Sequence, residues 1–310
     1  MSYAGPEFDP DRPRRSPLRR PVTVALAALV PGALLGWLVF EALGGSDDGG
    51  AAAGPGPADS RSASGTDDGR DGEPGTTPSP TGTTAGRPLA GRVVVVDPGH
   101  NPSNARHTAE INRKVDIGTG RKECDTTGTA TNDGYAEAAF TLDVAHRLRD
   151  LLEARGATVK LTQDADRPWG PCVDERARIG NAAKADAVVS VHADGAGAGQ
   201  RGFHVILPGA VDAGGADTGP IVGPSRALGT DIARAFAAAT GTEPSNYVGD
   251  GDGIVTRTDL GGLNLSTVPK VFVECGNMRD AKDAALLTSG AWRQRAAQGL
   301  SDGIVEFLRG

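Results

Sequence analysis

Positive charge is in short supply in this chain. Lysine and arginine number 32 against 39 aspartates and glutamates, for a net charge of -7. A nucleic-acid-binding domain normally presents a basic face, so the balance argues against that class and is neutral about enzymes. Aromatic residues make up only 4% of the chain, which leaves aliphatic runs to mark the buried strands. No internal repeat is present, which excludes a solenoid or a tandem array. No H-E-x-x-H pair is present, which removes the usual signature of a zinc peptidase. Cysteine occurs three times and histidine five times, so each of these residues carries weight.

The first 89 residues lack what a globular domain needs. Residues 1–20 are polar and carry Arg12, Arg14, Arg15, Arg19 and Arg20. Pro21 to Phe40 then runs without a charge, close to the roughly 20 residues that cross a bilayer as a helix. Residues 21–42 are therefore expected to form a transmembrane signal-anchor. Arginines before the span belong in the cytoplasm, which places the remainder outside. The alternative is a cleaved signal peptide, for which Ala42-Leu43-Gly44 offers a small-x-small site. Residues 43–89 are Gly, Ser, Thr, Pro and Asp with almost no large apolar side chain. Such a segment cannot bury enough surface to offset its ordering entropy and reads as a disordered linker.

Patterned sequence starts at about residue 90 and runs to residue 310. Arg92–Val96, Ala157–Thr162, Ala187–His192, Phe203–Leu207 and Lys270–Glu274 read as strands. Tyr135–Arg155, Asp174–Lys184, Ser225–Thr240 and Ala291–Leu308 read as helices. Strands alternating with helices predict a single α/β domain with a mainly parallel or mixed central sheet flanked by helices. The polar stretch Asn101–Gly134 is too long for an ordinary connection, and such loops are often functional.

Two of the histidines occupy equivalent places. His100 follows one strand and His192 ends another, and ligands in open α/β sheets gather at the carboxyl ends of the strands. Glu137 lies three and seven residues before Phe140 and Val144, on the apolar face of its own helix. A carboxylate there is costly to bury unless paired or metal-bound, although a first-turn glutamate can also complement the helix dipole. Two histidines and a carboxylate suit zinc and leave a fourth position for water. Glu274 ends the strand Lys270–Val273 at the same edge, where a carboxylate can shuttle a proton. Alternation puts Cys275 on the other face. His107 in the long loop, His146 on the polar helix side and His204 at a strand start fit a metal site less well.

The run Val94-Val95-Val96-Asp97-Pro98-Gly99-His100 resembles the opening motif of the zinc-dependent N-acetylmuramoyl-L-alanine amidases, the amidase-3 family. Glu137 at the head of a long helix, Ser190-Val191-His192-Ala193-Asp194, and Val271-Phe272-Val273-Glu274-Cys275-Gly276-Asn277 resemble the later elements, in the family's order. Arg176 and Asn181 match a further helix taken as structural. The resemblance spans about residues 90–310 and implies that His100, Glu137 and His192 bind Zn2+ and that Glu274 is catalytic. The implied reaction is hydrolysis of the amide joining N-acetylmuramic acid to L-alanine, in peptidoglycan or a muropeptide. Asn101 and Cys275-Gly276-Asn277 depart from the commonest pattern, and both are similar to a short actinobacterial branch with a cysteine in each of two loops. On that resemblance Cys124 and Cys172 are the expected disulfide pair, with Cys275 spare. Pro208–Pro224, where some relatives carry an inhibitory segment, shows no helical pattern, so open access to the site is expected. A monomer acting outside the cytoplasm, with no separate wall-targeting module, completes the expectation. A zinc peptidase of stem peptides and an inactive wall-binding activator are the rival readings. The second should lack Glu137 or Glu274, and both are present.

Overall fold

The structure is a computed structural model that describes residues 87–310. The expected cytoplasmic tail, signal-anchor and nearly all of the linker lie outside the described residues. Among the described residues no helix is long and apolar enough to cross a membrane.

Six strands form the central sheet: β1 (Val93–Pro98), β2 (Thr158–Leu161), β3 (Ala187–Asp194), β4 (His204–Pro208), β5 (Ile254–Arg257) and β6 (Lys270–Asn277). Their spatial order is β2-β1-β3-β6-β4-β5. All neighbours are parallel except β6 and β4, where Glu274 faces His204 in antiparallel register. The sheet is thus mainly parallel, as the alternation of strand and helix predicts.

Strand alternation gives the sheet two different faces. Val94, Val96, Ala187, Val189, Val191, Val271, Val273 and Cys275 point to a large apolar core. That core is completed by the long helices α1 (Glu137–Ala154), α3 (Gly219–Thr240) and α5 (Gly290–Arg309), through residues such as Phe140, Leu148, Ile232, Phe236 and Trp292. Helices α3 and α5 cross closely because Gly303 has no side chain there: a Cβ on it would lie 2.5 Å from the Ile232 Cα. The opposite face carries only a small cluster around Val95 and Val188, covered by α2 (Val173–Ala182). On this face stand Asp97, Ser190, His192, Lys270, Phe272 and Glu274, the alternate residues of the same three strands. A further helix, α4 (Ala281–Leu287), is capped by Asp280, which accepts from the backbone of Lys282 and Asp283.

Three expectations need correction. The helix expected at Ser225–Thr240 begins at Gly219 and includes Pro220 and Pro224. Pro220 costs nothing in the first turn, where backbone N–H groups have no helical partner, and Ile221 is already buried. The segment before it forms a short hairpin, Asp212–Ala213 with Ala216–Asp217, so Pro208–Pro224, read as having no helical pattern, holds a hairpin and the first turns of α3. The long stretch Asn101–Gly134 contains a second hairpin, Lys114–Asp116 with Arg121–Glu123, which polar side chains on both faces concealed. Strand β5 was not expected at all, being a four-residue edge strand among glycines.

Candidate metal centre and catalytic carboxylate

β1 ends at Pro98, and the chain turns through Gly99 into His100, whose φ of 61° lies in the left-handed region. Gly99 is required by contact: a Cβ on it would sit 2.3 Å from the Cε1 of His192. The carbonyl of Gly99 accepts from Thr141 Oγ1 of α1 at 2.7 Å. The His100 carbonyl is held by Gln163 Nε2 and Arg176 Nη2, each at 3.0 Å. These bonds keep a non-glycine residue in a backbone conformation it would otherwise avoid.

Glu137 is the first residue of α1 and is 4% exposed. Its Oε2 accepts the backbone N–H of Thr129 at 2.8 Å. Its Oε1 lies 3.1 Å from His100 Nε2 and 2.9 Å from His192 Nδ1. Gly128 makes this approach possible, since a Cβ there would meet the His100 ring at 2.7 Å and Glu137 Oε2 at 2.9 Å, and its φ is +73°. Glu137 therefore reaches around the carboxyl edge of the sheet from the helix that covers the other face. Among the described residues, His100, Glu137 and His192 bring their donor atoms within 4.8 Å of one another.

The electrostatics express a shortage of positive charge. Burial opposes ionisation of His100, yet the carboxylates of Glu137 and Asp125 outweigh it and push the imidazole up to about 10. Burial likewise opposes ionisation of Glu137, but His100 and His192 hold its carboxyl well below the usual range. His100 and Glu137 coexist in burial by sharing a proton, a demand that a cation would meet equally. The donors are two imidazole nitrogens and one carboxylate oxygen, the set that a hydrolytic zinc site uses. The residues present fit the ion.

Glu274 stands opposite His192 in the parallel register of β3 and β6. One of its oxygens, Oε2, is buried without a hydrogen-bond partner. Burial first, then the negative charge of Glu137 and Asp194, raises its pKa well above the usual carboxylate range. A single cleft is lined by His100, Glu137, His192, Glu274, Thr126 and Arg257. The structure thus brings together all four side chains singled out in the sequence. It leaves His107 and His146 outside, paired with Glu110 and Asp164. His204 is buried near Glu274 and neutral, because burial lowers its pKa to about 4.

Cys124 and Cys172 are joined (S–S 2.10 Å), and Cys275 is free and buried in the core. Sequence reasoning did not anticipate Phe272, which stacks on His192 at 5.1 Å between ring centroids with 14° between planes. Its place two residues before Glu274, on the same strand face, is the one signal that would have pointed to it.

The N-acetylmuramoyl-L-alanine amidase family (Amidase_3) matches residues 94–306. This chain belongs to it. The amidase is 43% identical over 221 residues to N-acetylmuramoyl-L-alanine amidase Rv3717 of Mycobacterium tuberculosis, covering 71% of this chain and 88% of that one. It resembles the crystal structure of the amidase Ami1 from Mycobacterium smegmatis at 41% identity and a TM-score of 0.65, over 71% of this chain and 98% of that one. The apo form of Ami1 from Mycobacterium abscessus is similar at 42% identity and a TM-score of 0.65, over 71% of this chain and 100% of that one. The amidase acts on the peptidoglycan amide that its family hydrolyses, between N-acetylmuramic acid and L-alanine.

Proposed function

We propose that this amidase is a zinc hydrolase in which His100, Glu137 and His192 hold the ion and Glu274 moves the protons. The observation that carries the reading is the convergence of His100 Nε2, Glu137 Oε1 and His192 Nδ1 beside an unpartnered Glu274 oxygen. Zinc, when bound, supplies Lewis acidity to the scissile carbonyl and acidifies water at the site. The protein's own part is positioning and proton transfer. Glu137 draws both imidazoles to one point, and the backbone N–H of Thr129 fixes its other oxygen. Glu274 takes the proton of the attacking water and delivers it to the alanine nitrogen as the C–N bond breaks. Its pKa, raised by burial and by the charge of Glu137 and Asp194, favours the protonated form that this second step draws on.

The proposal extends to the whole chain. Residues 1–20 form a cytoplasmic tail, 21–42 a membrane anchor, 43–89 a spacer and 90–310 the catalytic domain, which works as a monomer in the cell envelope. The Cys124–Cys172 bridge agrees with an oxidising compartment. The test is digestion of purified peptidoglycan or muramyl dipeptide by the full chain. Release of peptide with an L-alanine amino terminus, abolished by chelator and restored by zinc, is the expected result. Cleavage between amino acids, or chelator-resistant release, overturns it.

A further inference from the structure

Arg176 is matched to its family only as a structural residue, yet its guanidinium is wrapped around the support of one proposed metal ligand. It is buried and donates from all three nitrogens: Nε to Pro171 O at 2.9 Å, Nη1 to Asp97 Oδ1 at 2.8 Å and Pro98 O at 2.6 Å, Nη2 to His100 O and Asp125 Oδ2 at 3.0 Å each. Asp125 is buried in turn. Its Oδ2 also accepts from Asn104 Nδ2 at 3.1 Å, while its Oδ1 lies 3.5 Å from His100 Nδ1. The same Asn104 amide donates to Thr126 O at 2.8 Å, and that carbonyl lies 3.2 Å from His100 Nδ1. His100 Nδ1 thus faces the Asp125 carboxylate and the Thr126 carbonyl, which only accept, and the Thr126 hydroxyl at 3.2 Å, which accepts as well as donates, so all three partners are met when Nδ1 carries the hydrogen. Nε2, the nitrogen turned toward Glu137, is then the one that gives up its proton to a metal. The disulfide fastens this arrangement, because Cys124 precedes Asp125 and Cys172 stands at the start of the helix that bears Arg176.

We infer that Asp125 and Arg176 are positioning residues that set the tautomer and orientation of His100 for the metal. The carboxylate holds the imidazole N–H, and the guanidinium holds both the carboxylate and the His100 carbonyl. Partners of this kind orient ligating histidines, and losing one typically costs about 10–100-fold in metal affinity. The inference rests on the proposal that His100 is a ligand.

The test measures zinc affinity by competition with a chromophoric chelator, and the visible spectrum of the cobalt-loaded protein, for the full chain with its disulfide intact. Asp125→Asn is expected to weaken zinc binding by about 10–100-fold and to shift the cobalt bands, with a folded circular-dichroism spectrum. Arg176→Lys, which can meet only one of the two carboxylates, is expected to weaken binding in the same direction. A lowered melting temperature with unchanged affinity and cobalt spectrum would mean a purely structural role and overturns the inference. Because a variant can fail to fold, nitrogen-15 spectra of histidine-labelled, cadmium-loaded wild type supply a second arm. Coordination of His100 through Nε2 with a protonated Nδ1 supports the inference, and coordination through Nδ1 overturns it. His100→Ala separates the two levels: full zinc affinity in that variant sinks the ligand assignment itself, whereas lost affinity there with wild-type binding in Asp125→Asn sinks only the positioning role.

Discussion

The loop side of the site, built around His100, and the strand side, built around His192, hold their imidazoles by different forces. His192 is placed by the register of β3 against β6, lies flat on Phe272 and has Gly99 pressed against its edge. His100 sits beyond the end of β1 with a positive φ, and hydrogen bonds to its carbonyl and its Nδ1 hold it there. A histidine on a strand receives its direction from backbone pairing, so packing suffices to finish it. A histidine on a loop receives nothing from pairing, so dedicated donors and acceptors, an internal arginine and a disulfide stand behind it. Glu137 joins the two sides, with one oxygen facing both rings.

The comparison can be broken in order of expected effect. Glu274→Gln leaves both sides intact and removes the proposed proton carrier. Turnover should fall by about 10²–10⁴ while metal analysis still finds one zinc per chain. Loss of zinc in that variant would make Glu274 part of the metal site and blur the division. Gly99→Ala attacks the strand side, because the new Cβ would lie 2.3 Å from His192 Cε1. Displacing a reacting group by about 1 Å can cost about 10²-fold, and that loss is expected in turnover, with a shifted cobalt spectrum.

Removing the bridge with Cys124→Ser and Cys172→Ser attacks the loop side. For a sequence separation of 48 the chain-entropy model gives about 4 kcal/mol. A metal-free melting temperature lower by roughly 10 °C is expected, together with weaker zinc binding. An unchanged melt would show that the loop is held by its hydrogen bonds alone. The smallest effect is a proton. Without metal His100 titrates at about 10, so at pH 8 it is charged in the folded chain. Its pKa is raised by folding, so its contribution to metal-free stability is full below about 6.5 and is lost as pH rises through about 10. Under the proposed ligation, zinc displaces that proton. Calorimetry at pH 8 in buffers of different ionisation heat should find about one proton released per zinc, and none released would mean that His100 binds nothing.

Much of this architecture is legible in the residues themselves. The β-branched run Val93–Val96 and the apolar stripe Phe140, Val144, Leu148 announce a buried strand and a helix packed on it, because period and burial are written in neighbouring residues. Glu137 is legible as a misfit: a carboxylate in line with that stripe needs a reason. Other features are not. Arg176 reads as one more charge on a short polar helix, and only the fold shows it buried among acceptors drawn from β1 and from the loops around Asp125 and Pro171. The hairpin Lys114–Glu123 is dominated by charged residues and offers no period to read. The start of α3 is hidden by Pro220 and Pro224, which discourage a helix everywhere except near its first turn.

The order of strands and helices, the separation of apolar from polar strand faces and the identity of the four candidate chemical groups follow from the sequence, since each depends on a residue and its near neighbours. Which nitrogen of each imidazole faces Glu137, why Gly99 and Gly128 must lack side chains, and what holds His100 in place were decided by tertiary structure alone. Those features are contacts between segments far apart in the chain, such as Glu137 with His192 at a separation of 55 and Arg176 with Asp97 at 79. Local propensity carries no record of such contacts until the sheet has brought the segments to one edge.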